Sequence, residues 1–166
     1  MTEKVAILSR PWPIVLFVTL VLVLDQATKL AVDAFLAYQV LQPVLPFLGL
    51  FRTYNTGVAF SMFADAEGWI IVGVRLLVVA FVVWVWRRTP ADRVFAHFGY
   101  AMVIAGALGN LIDRFAYGHV IDFILFHTET WSFAVFNVAD SCITLGAISI
   151  AYDEFFGTKV SKTRNT

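Results

Sequence analysis

Two aspartates, Asp122 and Asp140, are the side chains of this 166-residue chain whose types most readily suggest catalysis. In a pair of acids, one carboxylate can take a proton from water while its protonated neighbour hydrogen-bonds a substrate carbonyl. Like charges a few ångströms apart do not both ionise easily, so one pKa rises and the pair shares a proton. Asp140 falls in the first turn of an apolar run that begins near Val138, where a helix dipole favours its anion. Asp122 lies in His119-Val-Ile-Asp122-Phe-Ile, an apolar setting that favours its neutral form. The same residues also read as a helix-start acid and a surface-loop acid, and sequence separation alone does not bring them together.

Other polar residues offer supporting chemistry. The amides of Asn110 and Asn137 both donate and accept, which suits holding an extended peptide. Arg114 presents a fixed fork of donors to substrate carbonyls. Each of the three also reads as a residue satisfying backbone at a helix end. Asp25 and Lys29, at i,i+4 spacing, can neutralise one another, and a structural role is favoured over a catalytic one. Cys142 with His119 suggests a thiol protease, but Cys142 sits inside an apolar run and reads as a small buried hydrophobe. His119, Asp122 and His127 have no recognised metal-ligand spacing. The lone cysteine excludes an internal disulfide, and no metal or other cofactor is expected.

The elements that position these groups follow from composition. The chain is 60% hydrophobic and 14% charged, with mean hydropathy +0.78, more apolar surface than so small a fold can hide from water. Lipid must cover it. Zero net charge gives no sign of a nucleic-acid partner. Four runs are long and apolar enough to cross a bilayer: about Trp12–Leu30, Trp69–Trp86, Phe95–Leu111 and Val138–Phe156. The first lacks a small-residue cleavage site and does not read as a cleaved signal peptide. Lys4, Arg10, Arg87, Arg88, Arg93, Lys159, Lys162 and Arg164 mark one side as cytoplasmic, with both termini there. Trp12, Trp69, Trp84 and Trp86 suit an interfacial belt, and Arg75 can snorkel to the outer surface. His97 reads as interfacial at the cytoplasmic end.

That orientation gathers Asp25, Lys29, Asn110, Asp113, Arg114, Asp122, Asn137 and Asp140 at the outer leaflet. Charges buried in a membrane are costly and mark working sites. The outer segments, about 31–68 and 112–137, should carry short β-prone runs over Tyr38–Thr56 and Tyr117–Phe136. A short interfacial helix is expected over Gly57–Asp65, which could cover the site as a lid or anchor the segment passively. A small four-span transporter or a membrane assembly factor would be the competing readings. Acids at the outer mouth rather than the midplane disfavour the first, and a pair of acids disfavours the second. No Gly-x-Gly-Asp motif of the presenilin type occurs.

Five runs carry a resemblance: Leu24-Asp25-Gln26-Ala27-Thr28-Lys29, Tyr54-Asn55-Thr56-Gly57-Val58-Ala59-Phe60, Gly106–Arg114, Gly118–Phe123 and Phe136–Ser141. In order and spacing they resemble the signature blocks of signal peptidase II across essentially the whole chain. The resemblance implies a single polytopic domain of four transmembrane helices, all-α apart from a small periplasmic β-cradle and a short periplasmic helix. It implies a bacterial inner-membrane enzyme that removes the signal peptide of diacylglyceryl-modified prolipoproteins just before the lipidated cysteine. Asp122 and Asp140 would be its catalytic dyad. Asn55, Gly57, Asn110, Arg114 and Asn137 would line the substrate site, with Asp25 and Lys29 supporting. Membrane lipid and lipid-modified prolipoproteins would be its partners, and the cyclic peptide globomycin its inhibitor.

Overall fold

The computed structural model describes residues 5–56 and 64–157, the side chains of 64–71 aside. After a single 3-10 turn at Ile7–Ser9, four long helices follow: α1 (Pro11–Phe35), α2 (Ala64–Arg88), α3 (Val94–Tyr117) and α4 (Val138–Phe156). Three strands, β1 (Leu41–Leu45), β2 (Leu48–Asn55) and β3 (Val120–Phe126), form one antiparallel sheet in the order β1-β2-β3. Among the described residues, two of the helices, α1 and α3, are long and apolar enough to cross a membrane by length and composition.

Prolines open α1, where their fixed φ and missing N–H cost nothing. Its outward residues are apolar and exposed: Leu16, Leu20, Val23 and Leu24. Helix α3 is the hub and is buried over most of its length. Against α1 and α2 it packs Ala101 and Ile104 with Ile14, Phe17, Val82 and Trp86. Against α4 it uses small residues: a Cβ on Gly99 would stand 2.6 Å from the Gly146 carbonyl oxygen, and one on Gly146 would stand 2.7 Å from that of Gly99. Without a hydrophobic drive between helices in lipid, such backbone-to-backbone approach supplies the dispersion contact. At the end of α3, Gly118 takes φ +75°, closing the helix in the left-handed conformation that glycine adopts without strain.

The sheet packs on the end of α1. Ile121 and Phe123 of β3 meet Val32, with Leu36, Leu50, Tyr54 and Val138 around them. The chain then doubles back, and the Phe136 N–H and carbonyl pair with the Ile124 carbonyl and N–H at 3.0 and 2.8 Å. This return delivers Asn137, the first residue before α4, to the side of β3.

The sequence boundaries shift in informative ways. Helix α1 continues five residues past Leu30, and α3 runs six past Leu111, so Asp113 and Arg114 are helical and buried. Hydropathy stops at the first charges, whereas the helical hydrogen-bond ladder continues once those charges are paired. Helix α2 begins at Ala64, ahead of Trp69. The interfacial helix expected over Gly57–Asp65 falls on 57–63, outside the described residues, and on the first turn of α2. His97, in the first turn of α3, is buried against the protein, and its Nε2 lies 3.0 Å from the Pro90 carbonyl. Trp86 is half-buried and donates to the Leu8 carbonyl at 2.9 Å, while Trp12 is 80% exposed. Arg75 is part-exposed, with its Nη1 buried and without a partner among the described residues.

Candidate active site

Strand alternation aims Asp122. With Ile121 and Phe123 in the core, the residue between them points to the opposite face. There it is register partner to Thr53 and takes the Asn55 Nδ2 on its Oδ2 at 3.0 Å. Asp140 is aimed by helix capping. The Asn137 Oδ1 accepts the Asp140 N–H at 2.9 Å, and the Asp140 Oδ2 accepts the Asn137 N–H at 3.3 Å, a reciprocal capping box.

Asn137 also joins the two acids. Its Nδ2 donates to Asp122 Oδ1 at 2.6 Å and lies 3.1 Å from Asn110 Oδ1. Asn110 in turn donates to Asp140 Oδ1 at 2.7 Å. The acids are close enough to interact electrostatically. Burial, reinforced by the Asp140 charge, pushes Asp122 up from 3.8 to about 6, against the opposing pull of Asn55, Asn137 and Lys29.

Below this pair lies a fully buried ionic cluster. Lys29 Nζ sits 2.8 Å from Asp25 Oδ2, 2.8 Å from Asp113 Oδ2 and 3.1 Å from Asn110 Oδ1. Gln26 Nε2 bridges Asp113 Oδ1 at 2.8 Å and Asp25 Oδ2 at 3.2 Å. Asp25 Oδ1 accepts the Ala139 N–H at 2.9 Å, so α1 caps one of the free donors in the first turn of α4. Arg114 spends Nη1 on the Thr56 carbonyl, while its Nε and Nη2 are buried and without partners among the described residues.

This is a cluster with two interacting carboxylates, amides that orient both, and an arginine fork beside them. It has the parts for attack of water on a carbonyl. Residues 17–156 match the family described as signal peptidase (SPase) II.

The chain belongs to that family.

It is 64% identical to the lipoprotein signal peptidase of Sinorhizobium fredii, over 99% of this chain and 98% of that protein. The lipoprotein signal peptidase of Allorhizobium ampelinum is 57% identical, over 98% and 99%. That of Brucella abortus is 47% identical, over 88% and 91%. A bacterial membrane enzyme solved by the in meso method superposes with a TM-score of 0.82 at 26% identity, over 95% of this chain and all of the other. A second such enzyme gives 0.81 at 25%, over 100% and 99%. Membership makes the chain a membrane-embedded aspartic-type signal peptidase II, and the transporter and assembly-factor readings are set aside.

The structure brings together Asp122, Asp140, Asn55, Asn110, Asn137, Asp25 and Lys29, with Arg114 at the Thr56 carbonyl. Gly57 lies outside the described residues. Sequence reasoning gathered Asp113 at the outer leaflet without giving it a role, and it gave Gln26 none. Asp113 stands three residues after Asn110 on the same helix face, and that spacing was the available signal. His119 lies tilted against Tyr54 with ring centroids 4.1 Å apart, and the His127 backbone N–H donates to the Phe47 carbonyl. Among the described residues no three His, Cys, Asp or Glu converge as metal ligands.

Proposed function

We propose that the chain cleaves diacylglyceryl-modified prolipoproteins just before the lipidated cysteine, with Asp122 and Asp140 as the catalytic dyad. The observation that carries this reading is the Asn137 bridge, which holds an acid of β3 and an acid of α4 in one hydrogen-bonded unit. One carboxylate takes a proton from water while the other, still protonated, donates to the scissile carbonyl. Asn55, Asn110, Asn137 and Arg114, together with Gly57, line the path of the extended peptide. The two unpartnered donors of Arg114 suit its carbonyls. Asp25 and Lys29 support the pair from below.

All four helices cross the bacterial inner membrane in this reading. Helix α2, with 25 residues, is about 37 Å long and α4, with 19, about 28 Å, against a hydrocarbon core of about 30 Å. Arg87, Arg88 and Arg93 join α2 to α3 at the end away from the acids, so both termini are cytoplasmic and the site opens to the periplasm. The lipid-anchored substrate enters sideways from the bilayer, and globomycin, as a peptide, competes for the same cleft.

The test uses purified protein in detergent with a prolipoprotein carrying or lacking the diacylglyceryl group. Cleavage before the cysteine of the modified substrate, blocked by globomycin, is expected. Equal cleavage of the unmodified form would overturn the substrate assignment.

A further inference from the structure

The ionic cluster under the acids carries more negative than positive charge, and a single amide connects it to Asp140. Asp25 and Asp113 are 1% and 0% exposed, and the contacts their side chains make are with donors: Lys29, Gln26, and the N–H groups of Ala139 and Ile121. Among the described residues Lys29 is the cation bonded to both. Its third donor goes to Asn110 Oδ1, and the same amide donates from Nδ2 to Asp140 at 2.7 Å.

An amide whose oxygen faces a cation is polarised, so its N–H groups become stronger donors. The other Asp140 oxygen takes the Asn137 N–H at a helix N-terminus, which also favours an anion. Asp122 differs in each respect. Its donors are Asn55 and Asn137, burial outweighs the pull of the Lys29 charge on it, and it is buried where Asp140 is part-exposed. Among the described residues, the charged and titratable groups of Asp140, its partner and the cluster beneath are Asp25 and Lys29 from α1, Asp113 and Arg114 from α3, Asp122 from β3, Arg75 from α2, which acts on Arg114, and Cys142 of α4, which feels Asp25. Of these, Lys29 is the one tied to it through a polarised amide.

We propose that Lys29 is a positioning residue that acts through Asn110 to keep Asp140 as the ionised member of the pair, leaving the shared proton on Asp122. The inference deepens the dyad reading and rests on it. Asp140 takes a proton from water as the water oxygen bonds to the scissile carbonyl carbon, and Asp122 gives its proton to the carbonyl oxygen. The resulting diol collapses with cleavage of the C–N bond. Asp140 then protonates the leaving nitrogen, and Asp122 recovers a proton from a diol hydroxyl, so both acids return to their starting states.

The experiment measures kcat and KM against pH for the full chain in detergent, on the lipid-modified substrate. It compares the unaltered protein with Lys29→Met and with Lys29→Met/Asp113→Asn. The double variant removes one charge of each sign, leaving the net charge of the cluster unchanged, so it remains informative where the single variant fails to fold. The folded double variant is expected to lose roughly tenfold or more in kcat with KM changed less than about twofold. The acid limb of its kcat profile is expected to move to higher pH, because the base is less readily ionised. An acid limb at its original pH in a folded variant would confine Lys29 to structure and overturn the proposal, as would a double variant unable to fold. Asp122→Asn and Asp140→Asn run alongside: turnover by either would sink the dyad itself, an outcome separate from an unmoved acid limb.

Discussion

Asn137 Nδ2 lies 2.6 Å from Asp122 Oδ1, and through that bond the first residue before α4 fixes a side chain in the middle of β3. The same residue caps the helix that carries Asp140. Asn137→Ala should therefore do two kinds of damage. Loss of the cap should lower stability by about 0.5–2 kcal/mol, while turnover falls much further because both acids lose their shared guide. Asn137→Asp keeps a capping oxygen but replaces the donor to Asp122 with a third acid, so it should retain most of the stability and little of the activity. Thermal unfolding and kcat measured on both variants separate the two effects.

The pH profile should report the pair and neither acid alone. Asp122, pushed up to about 6 chiefly by burial, holds its proton below that pH and releases it above. A reaction that needs this proton loses rate as pH rises, which gives the basic limb. Asn55 donates to the ionised carboxylate and so pulls the value down. Removing it with Asn55→Ala should move the basic limb to higher pH, whatever happens to the maximal rate. A basic limb that stays put or moves lower would contradict this electrostatic account.

What could be read from the sequence was the chemistry of each group more than its neighbours. The four apolar runs, the β-prone segments and the acid in the first turn of α4 follow from periodicity and composition, and each appears in the fold. The meeting of Asp122 with Asn137 does not, because it depends on the return pairing of Phe136 with Ile124. Lys29 illustrates the same limit. Its i,i+4 partner Asp25 was visible, whereas Asp113 and Asn110 reach it only because α3 packs against α1. Gln26 takes its part from the two buried carboxylates it bridges, and only the packing of α1 on α3 brings Asp113 to it.

Close packing beneath the site leaves little room at Gly109. A Cβ there would stand 2.5 Å from Asp25 Oδ2, the carboxylate that also anchors the Ala139 N–H through its other oxygen. Gly109→Ala should displace Asp25 and cost about 1–3 kcal/mol of stability. Activity should fall with it, because the start of α4 loses a tether. Gly73 is the control: a Cβ there meets nothing within 4 Å, so Gly73→Ala should unfold at or above the original temperature.

Far from the acids, Arg93 clasps the end of α4. Its Nε meets Asp153 Oδ2, and its Nη2 meets the Asp153 carbonyl and Glu154. Asp153 is buried, so Arg93→Ala strands a charge and should lower stability by about 1.5–3 kcal/mol. The pH limits of activity should not move, since none of these groups touches the site. Shifted limits would mean the two ends of α4 are coupled.

The central claim is that Asp122 and Asp140 act as one catalytic unit, and single-residue replacement tests it most directly. The measurement is the turnover of a diacylglyceryl-modified prolipoprotein by Asp122→Asn and by Asp140→Asn, each first shown to unfold like the unaltered protein. An amide cannot take the proton from water. The account predicts that either replacement alone abolishes cleavage and that the double replacement is no worse. Substantial turnover by either folded variant would contradict it.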